Sequence, residues 1–219
     1  MRKIFLALIL IGCCAGFINA QTTVDDDDNQ SWNDVQLTVP MTKEFDFFTQ
    51  ITARFGNNVS RLVDSRFALG FVWKPTKSLS VSPFYLNIEA RNARGRFRQE
   101  NRLNLRATYR FPTKGFGLSH RSLYEYRIRR PRNSWRYRPS LTFEKDIPKK
   151  IIPGAKVFVT EEVFYDSLLD KFSRNRFTVG INKTINKKLS LDVYYMRQND
   201  GFSVPGDLNV IGTTWRVKL

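Results

Sequence analysis

Charged and apolar side chains alternate over long runs in this chain, and no other feature of the sequence restricts its fold so tightly. Between residues 96 and 111, Arg98, Glu100, Arg102, Asn104, Arg106, Thr108 and Arg110 fall on one face, with Leu103, Leu105, Ala107, Tyr109 and Phe111 on the other. A period of two is that of a β-strand, whose successive side chains leave on opposite faces. In 134–145, Arg136, Arg138, Ser140, Thr142 and Glu144 oppose Trp135, Tyr137, Leu141 and Phe143. In 173–185, Arg174, Arg176, Thr178 and Asn182 oppose Phe177, Val179 and Ile181. A soluble sandwich also alternates, but its charges face water and its apolar faces meet in a core. Two features point elsewhere. The runs are about 11–15 residues long, against ~5–6 for soluble strands, and a strand tilted by ~45° needs ~9–11 residues to cross a bilayer. Trp73, Tyr109, Phe111, Trp135, Tyr137 and Trp215 also gather near run ends, as interfacial girdles do.

The expected fold is therefore all-β: an antiparallel transmembrane β-barrel with a polar, Arg/Glu-rich lumen. Candidate strands occupy 31–40, 44–55, 61–74, 78–91, 96–111, 115–129, 134–145, 155–165, 173–185, 188–198 and 208–219. They are separated by turn-forming segments such as Gly56-Asn57-Asn58 and Pro205-Gly206-Asp207. Bacterial barrels carry even strand numbers with both termini in the periplasm. Ten strands, from 44–55 to 208–219, satisfy that rule; the run at 31–40 is then an extra strand or an inward-folded segment, and twelve is the alternative. The run 78–91 reads as changing step, from Leu79 and Val81 to Phe84, Leu86 and Ile88. Pro83 sits at the switch and donates no ladder bond, so a β-bulge is expected there.

The beginning of the chain resembles a secretory signal over residues 1–20. Arg2 and Lys3 precede the apolar stretch Ile4 to Gly12, and cleavage is expected after Ala20. A lipoprotein-type alternative would place a lipid on Cys13. Cleavage after Ala20 removes both Cys13 and Cys14, so thiolate metal sites and cysteine nucleophiles are not expected, nor is any cofactor. Residues 21–31, with Asp25 to Asp28, read as an acidic, solvated tail before a barrel over 32–219. Loss of Arg2 and Lys3 lowers the formal charge of +16 by two. So basic a chain usually meets nucleic acid. An exported one meets anions of another kind, and the expected partners are outer-membrane lipids, the phosphates of lipopolysaccharide, small anions, and the barrel assembly machinery during insertion.

Four constellations stand out. First, buried charges must be paired or solvated, so Arg98, Glu100, Arg102, Arg106, Arg121, Glu125, Arg127, Arg136, Arg138, Glu144, Glu162 and Arg176 are expected to interleave in the lumen as a plug or an anion-selective path. Second, Arg129, Arg130 and Arg132 crowd one turn, and arginine suits bidentate phosphate contacts. Third, His120 and Ser122 share the face assigned to lipid, a pattern similar to that of outer-membrane phospholipase A and the lipid A deacylases, in which histidine activates serine. The position argues against catalysis, because His120 lies close to the Pro112–Gly115 turn and its expected neighbour is Thr142. Fourth, one carboxylate of Glu161-Glu162 must face outward in a regular strand. The ending Gly212, Trp215, Val217, Leu219 reads as an insertion signal with its bulky residues on one face, although it closes on Leu219 where an aromatic is usual.

Several of these stretches together resemble the bacterial family of domain of unknown function 2490. They are Arg121 to Arg129, Arg136-Tyr137-Arg138, Val159 to Tyr165, Asn175-Arg176-Phe177 and the closing strand, within a similarity covering about 32–219. The resemblance implies an outer-membrane barrel and leaves its activity open.

Overall fold

The computed structural model describes residues 27–92 and 95–219. The signal region, Cys13, Cys14, Asp25 and Asp26 lie outside the described residues. Eleven strands close into one barrel: β1 (Asp28–Pro40), β2 (Phe45–Gly56), β3 (Arg61–Trp73), β4 (Leu79–Arg91), β5 (Phe97–Arg110), β6 (Gly117–Ile128), β7 (Ser134–Asp146), β8 (Ala155–Asp166), β9 (Lys171–Thr184), β10 (Leu189–Asp200) and β11 (Leu208–Lys218). Each strand pairs antiparallel with its sequence neighbour, and closure is made by a parallel ladder between β1 and β11. The expectation of ten or twelve strands is thus corrected to eleven. The run at 31–40 is a full wall strand, paired from Asp28↔Leu208 to Thr38↔Lys218. An odd count forces one parallel pair, so β1 begins at the end opposite to that at which β11 finishes.

That geometry also takes part of the acidic run into the fold. Asp28 opens β1 and is buried, and its carboxylate accepts the backbone N–H groups of Asn57 (3.0 Å) and Asn58 (2.8 Å). These residues, with Val59, have φ of 55°, 54° and 64°, a left-handed conformation unusual for side-chain-bearing residues. The carboxylate holds the β2–β3 turn through it. Asp27 pairs with Arg197 at 3.0 Å.

Inward and outward faces separate cleanly. Outward positions carry Val35, Ile51 (62% exposed), Phe67, Leu103, Leu105, Val179, Val193 and Ile211 (58% exposed) in mid-strand. Aromatic pairs decorate both ends: Phe45–Trp73, Tyr109–Phe111 and Phe116–Phe143 at one, Tyr124–Trp135 and Trp135–Tyr165 towards the other. No described helix is long and apolar enough to cross a membrane.

Two local expectations are corrected. Pro83 introduces no bulge: β4 keeps one register along β5, and with β3 it runs Gly70↔Phe84 and Trp73↔Val81, still in step. The register shifts lie instead at Arg54/Phe55 and Phe164/Tyr165. Phe84 and Ile88 simply face the lumen, where Phe84 meets Phe48 and Ile88 is buried. Gly70 opposite Phe84 makes the room, since a Cβ there would lie 2.4 Å from that of Phe84. Gly212 does not share a face with Trp215. It points inward against Tyr194, whose ring a Cβ would meet at 2.1 Å, while Trp215 and Leu219 are exposed outside.

Candidate functional site

The strand starts of β1, β3, β5, β7, β9 and β11, the turns 57–60, 129–133, 167–170 and 201–207, and residues Asn92, Gly95 and Arg96 surround one mouth of the barrel. Just below it the lumen is filled by charge. Glu125, on β6, is only 1% exposed and accepts from Arg102 Nη1 (3.1 Å) and Arg138 Nη1 (2.9 Å). Arg138 Nη2 reaches both carboxylate oxygens of Glu162 at 3.0 Å, and Glu162 also binds Arg121 and lies 3.9 Å from Arg176. Glu100 accepts Arg102 Nε (2.6 Å) and a two-point contact from Arg127 (2.6 and 2.8 Å). Arg127 passes on to Asp166 (3.3 Å), which also takes Arg136 Nε (2.5 Å). The network runs unbroken across β5 to β9. Two-point guanidinium–carboxylate contacts are the strong form of such pairing, and shared partners neutralise charges that would otherwise be prohibitive to bury.

Aromatic faces hold the remaining cations. Arg54 lies over Trp32 at 3.4 Å, Arg138 over Phe164 at 4.3 Å, and Arg176 4.8 Å from Phe164 and 4.9 Å from Trp32. The parity of the sequence located most of the network, but Arg54, Asp64, Arg66, Asp166 and Asp200 were not among the expected members. Arg66 grips Asp64 through two 2.6 Å bonds, and Arg174 pairs with Asp200. Their signal was present, since extending the inward parity of β3, β8 and β10 to the strand ends reaches Asp64, Asp166 and Asp200.

Three expected members fall outside the network. Arg98 stands exposed on the rim, above the row in which Arg102 and Arg127 occupy Glu100. Arg106 points inward without a carboxylate partner among the described residues, 5.6 Å from the Phe48 ring and 5.3 Å from that of Phe84. Glu144 lies near the opposite end, bound to Lys156 at 3.2 Å, and both side chains are 45% exposed.

Above the network the mouth holds a cavity of about 530 Å³ lined by nine arginines (66, 91, 98, 102, 127, 129, 130, 136 and 174) and four carboxylates (64, 100, 166 and 200). Cationic excess in a concave site concentrates anions. Burial, followed by the repulsion of Arg127, holds the Arg129 guanidinium below its usual range. Arg130 and Arg132 are exposed on the same turn, and Arg132 lines neither this cavity nor the adjoining ones.

On the outer wall, His120 Nε2 lies 3.1 Å from Ser122 Oγ, which in turn lies 3.0 Å from Tyr137 OH. The neighbours of His120 across the sheet are Tyr109 and Leu141; Thr142 pairs with Ser119, faces inward and bonds Thr160 at 2.8 Å. A nucleophile–base contact therefore exists. Two other requirements of acyl transfer are unmet among the described residues: no side chain orients the second imidazole nitrogen, and the amides flanking Ser122 lie in strand ladders on both sides, so they cannot form an oxyanion site. Of the acidic pair, Glu161 is the outward member, accepting from Asn175 at 3.2 Å.

The barrel resembles two solved outer-wall architectures. The NanC porin matches with a TM-score of 0.52 at 10% identity, over 87% of this chain and 96% of that one. LpxR from Salmonella typhimurium matches with a TM-score of 0.52 at 10% identity, over 80% and 83%. Likeness at this identity speaks for the fold alone. A search of curated proteins finds no match for the sequence. The family model described as protein of unknown function (DUF2490) matches residues 29–208, nearly the whole barrel, and the chain belongs to that family.

Proposed function

We propose that this protein is a non-enzymatic β-barrel of a bacterial outer membrane whose arginine-rich mouth gathers small anions above a lumen throttled by ion pairs. Export by a signal over residues 1–20 and insertion through the barrel assembly machinery belong to the same reading. The membrane part is supported by the outward residues: mid-strand Ile51, Leu103, Leu105, Val179 and Ile211 are well exposed, and aromatic pairs flank them at both ends. A water-soluble barrel would have to hydrate that band, whereas lipid accepts it. The observation that carries the anion reading is the imbalance of nine arginines against four carboxylates around the mouth. Beneath it, Glu125, Arg127 and Glu162 are buried and bridged by ion pairs, which supports a lumen narrowed at their level.

The test is planar-bilayer recording of the purified barrel in a salt gradient. Small, brief openings with a reversal potential on the anion side support the conduit. Complete absence of conductance in the wild type, and also in a Glu125→Ala plus Arg138→Ala variant that thins the plug, overturns it and leaves a structural barrel.

A further inference from the structure

Three of the mouth's arginines, Arg98, Arg129 and Arg130, also face a second opening. A groove of about 590 Å³ opens on the outside of the rim, between the start of β5 and the β6–β7 turn. Arg98, Arg129 and Arg130 line it with Asn101, Asn133 and Ile128, and no carboxylate does. The contrast with the lumen is sharp. There each cation of the network shares an oxygen, while here Arg98 and Arg130 are exposed and have no carboxylate partner among the described residues.

The neighbouring amides are fixed in place. Asn101 Oδ1 accepts from Tyr85 OH (2.7 Å) and Asn87 Nδ2 (2.8 Å), which turns its own Nδ2 donors away from those partners. Asn133 Oδ1 accepts the Arg129 backbone N–H at 3.2 Å and so ties the turn together. Three guanidinium forks and an oriented amide suit a tetrahedral, multiply charged oxyanion, which takes several charge-assisted bonds at once.

The setting selects the kind of molecule. Asn101 and Ile128 occupy outward strand positions, and directly below Asn101 on the same face of β5 come Leu103 and Leu105, both about half exposed. An anion in this groove therefore sits at the upper edge of the apolar belt, where a lipid head group meets its acyl chains. We propose that this mouth faces the outer leaflet and that the groove binds a phosphate ester of a lipid there, with its chains lying along Leu103 and Leu105. This rests on the membrane reading above; the groove shares Arg98, Arg129 and Arg130 with the mouth and adds the outward Asn101, Ile128 and Asn133. Arg132, on the same turn, is outside the groove and is the natural control.

The experiment measures binding of three probes to the barrel in non-ionic detergent: diphosphorylated lipid A, the same lipid with its phosphates removed, and inorganic phosphate. The proposal expects lipid A to bind, its dephosphorylated form to bind far more weakly, and Arg98→Gln plus Arg129→Gln plus Arg130→Gln to weaken lipid A by roughly a hundredfold. Arg130→Gln alone, at an exposed site, should weaken it by about tenfold and guards against misfolding of the triple variant, while Arg132→Gln should change it less than about twofold. Undiminished lipid A affinity in the triple variant overturns the proposal. Inorganic phosphate binding as tightly as lipid A, with the same arginine dependence, overturns the lipid assignment. Failure of the membrane reading is separately visible, because a chain that stays folded and monomeric in buffer without detergent defeats that reading before any probe is added.

Discussion

Replacing Glu125 by Gln removes one charge from the centre of the plug and almost nothing else. Gln retains the shape and a carbonyl oxygen that can still accept from Arg102 and Arg138, which both bond the same oxygen of Glu125 at 3.1 and 2.9 Å. At an effective dielectric of ~20, two unit charges ~4 Å apart attract by about 4 kcal/mol, so two such attractions are lost. Part of this is returned, because a carboxylate buried this deeply carries a desolvation penalty of several kcal/mol that the amide does not. Each guanidinium also keeps another carboxylate, Arg102 with Glu100 and Arg138 with Glu162. The net loss should fall at the low end of the range for breaking a buried pair, about 3 kcal/mol. Urea-dependent folding into lipid micelles, read by tryptophan fluorescence, measures it; with a slope of ~2 kcal/mol/M the midpoint drops by roughly 1.5 M. Glu144→Gln is the control: its side chain and that of Lys156 are each 45% exposed, and its loss should stay below about 1 kcal/mol. A double-mutant cycle of Glu125→Gln with Arg138→Met completes the test. If the coupling is below about 0.5 kcal/mol, or if Glu144→Gln costs as much as Glu125→Gln, the plug is not the interaction network described.

Further outcomes follow from the register and the packing. Asn33 and Thr213 are partners across the parallel seam, with Thr213 Oγ1 donating to Asn33 Oδ1 at 2.9 Å, so Asn33→Cys with Thr213→Cys should oxidise to a disulfide that alters gel mobility; no cross-link at all would refute the eleventh strand as placed. Gly212→Val drives a side chain into the Tyr194 ring and should destabilise the barrel by about 1–3 kcal/mol. Adding Tyr194→Ala should recover part of that loss in the same urea titration, and no recovery would place the clash elsewhere. Ser122→Ala should leave phospholipid and lipid A turnover by reconstituted protein unchanged, and a fall to background would restore the hydrolase reading of His120 and Ser122.

Most wall strands were legible because an apolar outer face and a charged inner face impose the same period of two on each. What misled were places where a rule about barrels stood in for the residues. The even-strand rule set the run at 31–40 apart, although its alternation of Trp32, Asp34 and Gln36 with Val35 and Leu37 was as regular as any. The expectation that every lumen residue is polar turned Phe84 and Ile88 into a change of step, when Phe48, Ala68 and Ile88 show that apolar groups are buried inside as well. Ion-pair choice lay beyond the sequence for another reason. Parity gives the face of Arg98 and Glu144, but whether a charge reaches the network depends on its height, which is set by barrel stagger and not by local pattern. Asp166 and Asp200 differ: parity carried to the strand ends does reach them.

The parallel seam is where the lumen carries its apolar cluster. A parallel ladder is slightly weaker per residue than an antiparallel one, and β1 is the strand that must hold two kinds of neighbour at once. On its inner face Trp32 packs with Met196 of β10 and with Leu208 and Val210 of β11, and Tyr194 lies against this group, so the one apolar cluster among the described residues straddles the closure. Arg54 from the other side of β1 caps the same indole at 3.4 Å. Burial of apolar surface does not depend on strand direction, so it can reinforce a joint whose hydrogen bonds are the less favourable kind. The network of shared carboxylates runs along the wall from β5 to β9, while separate pairs lie elsewhere: Arg66 with Asp64 on β3, Arg174 with Asp200 between β9 and β10, and Arg216 with Asp192 between β11 and β10, beside the seam. The densest charge is thus carried by antiparallel ladders, and at the closure an apolar cluster adds burial to the hydrogen bonds of the parallel one.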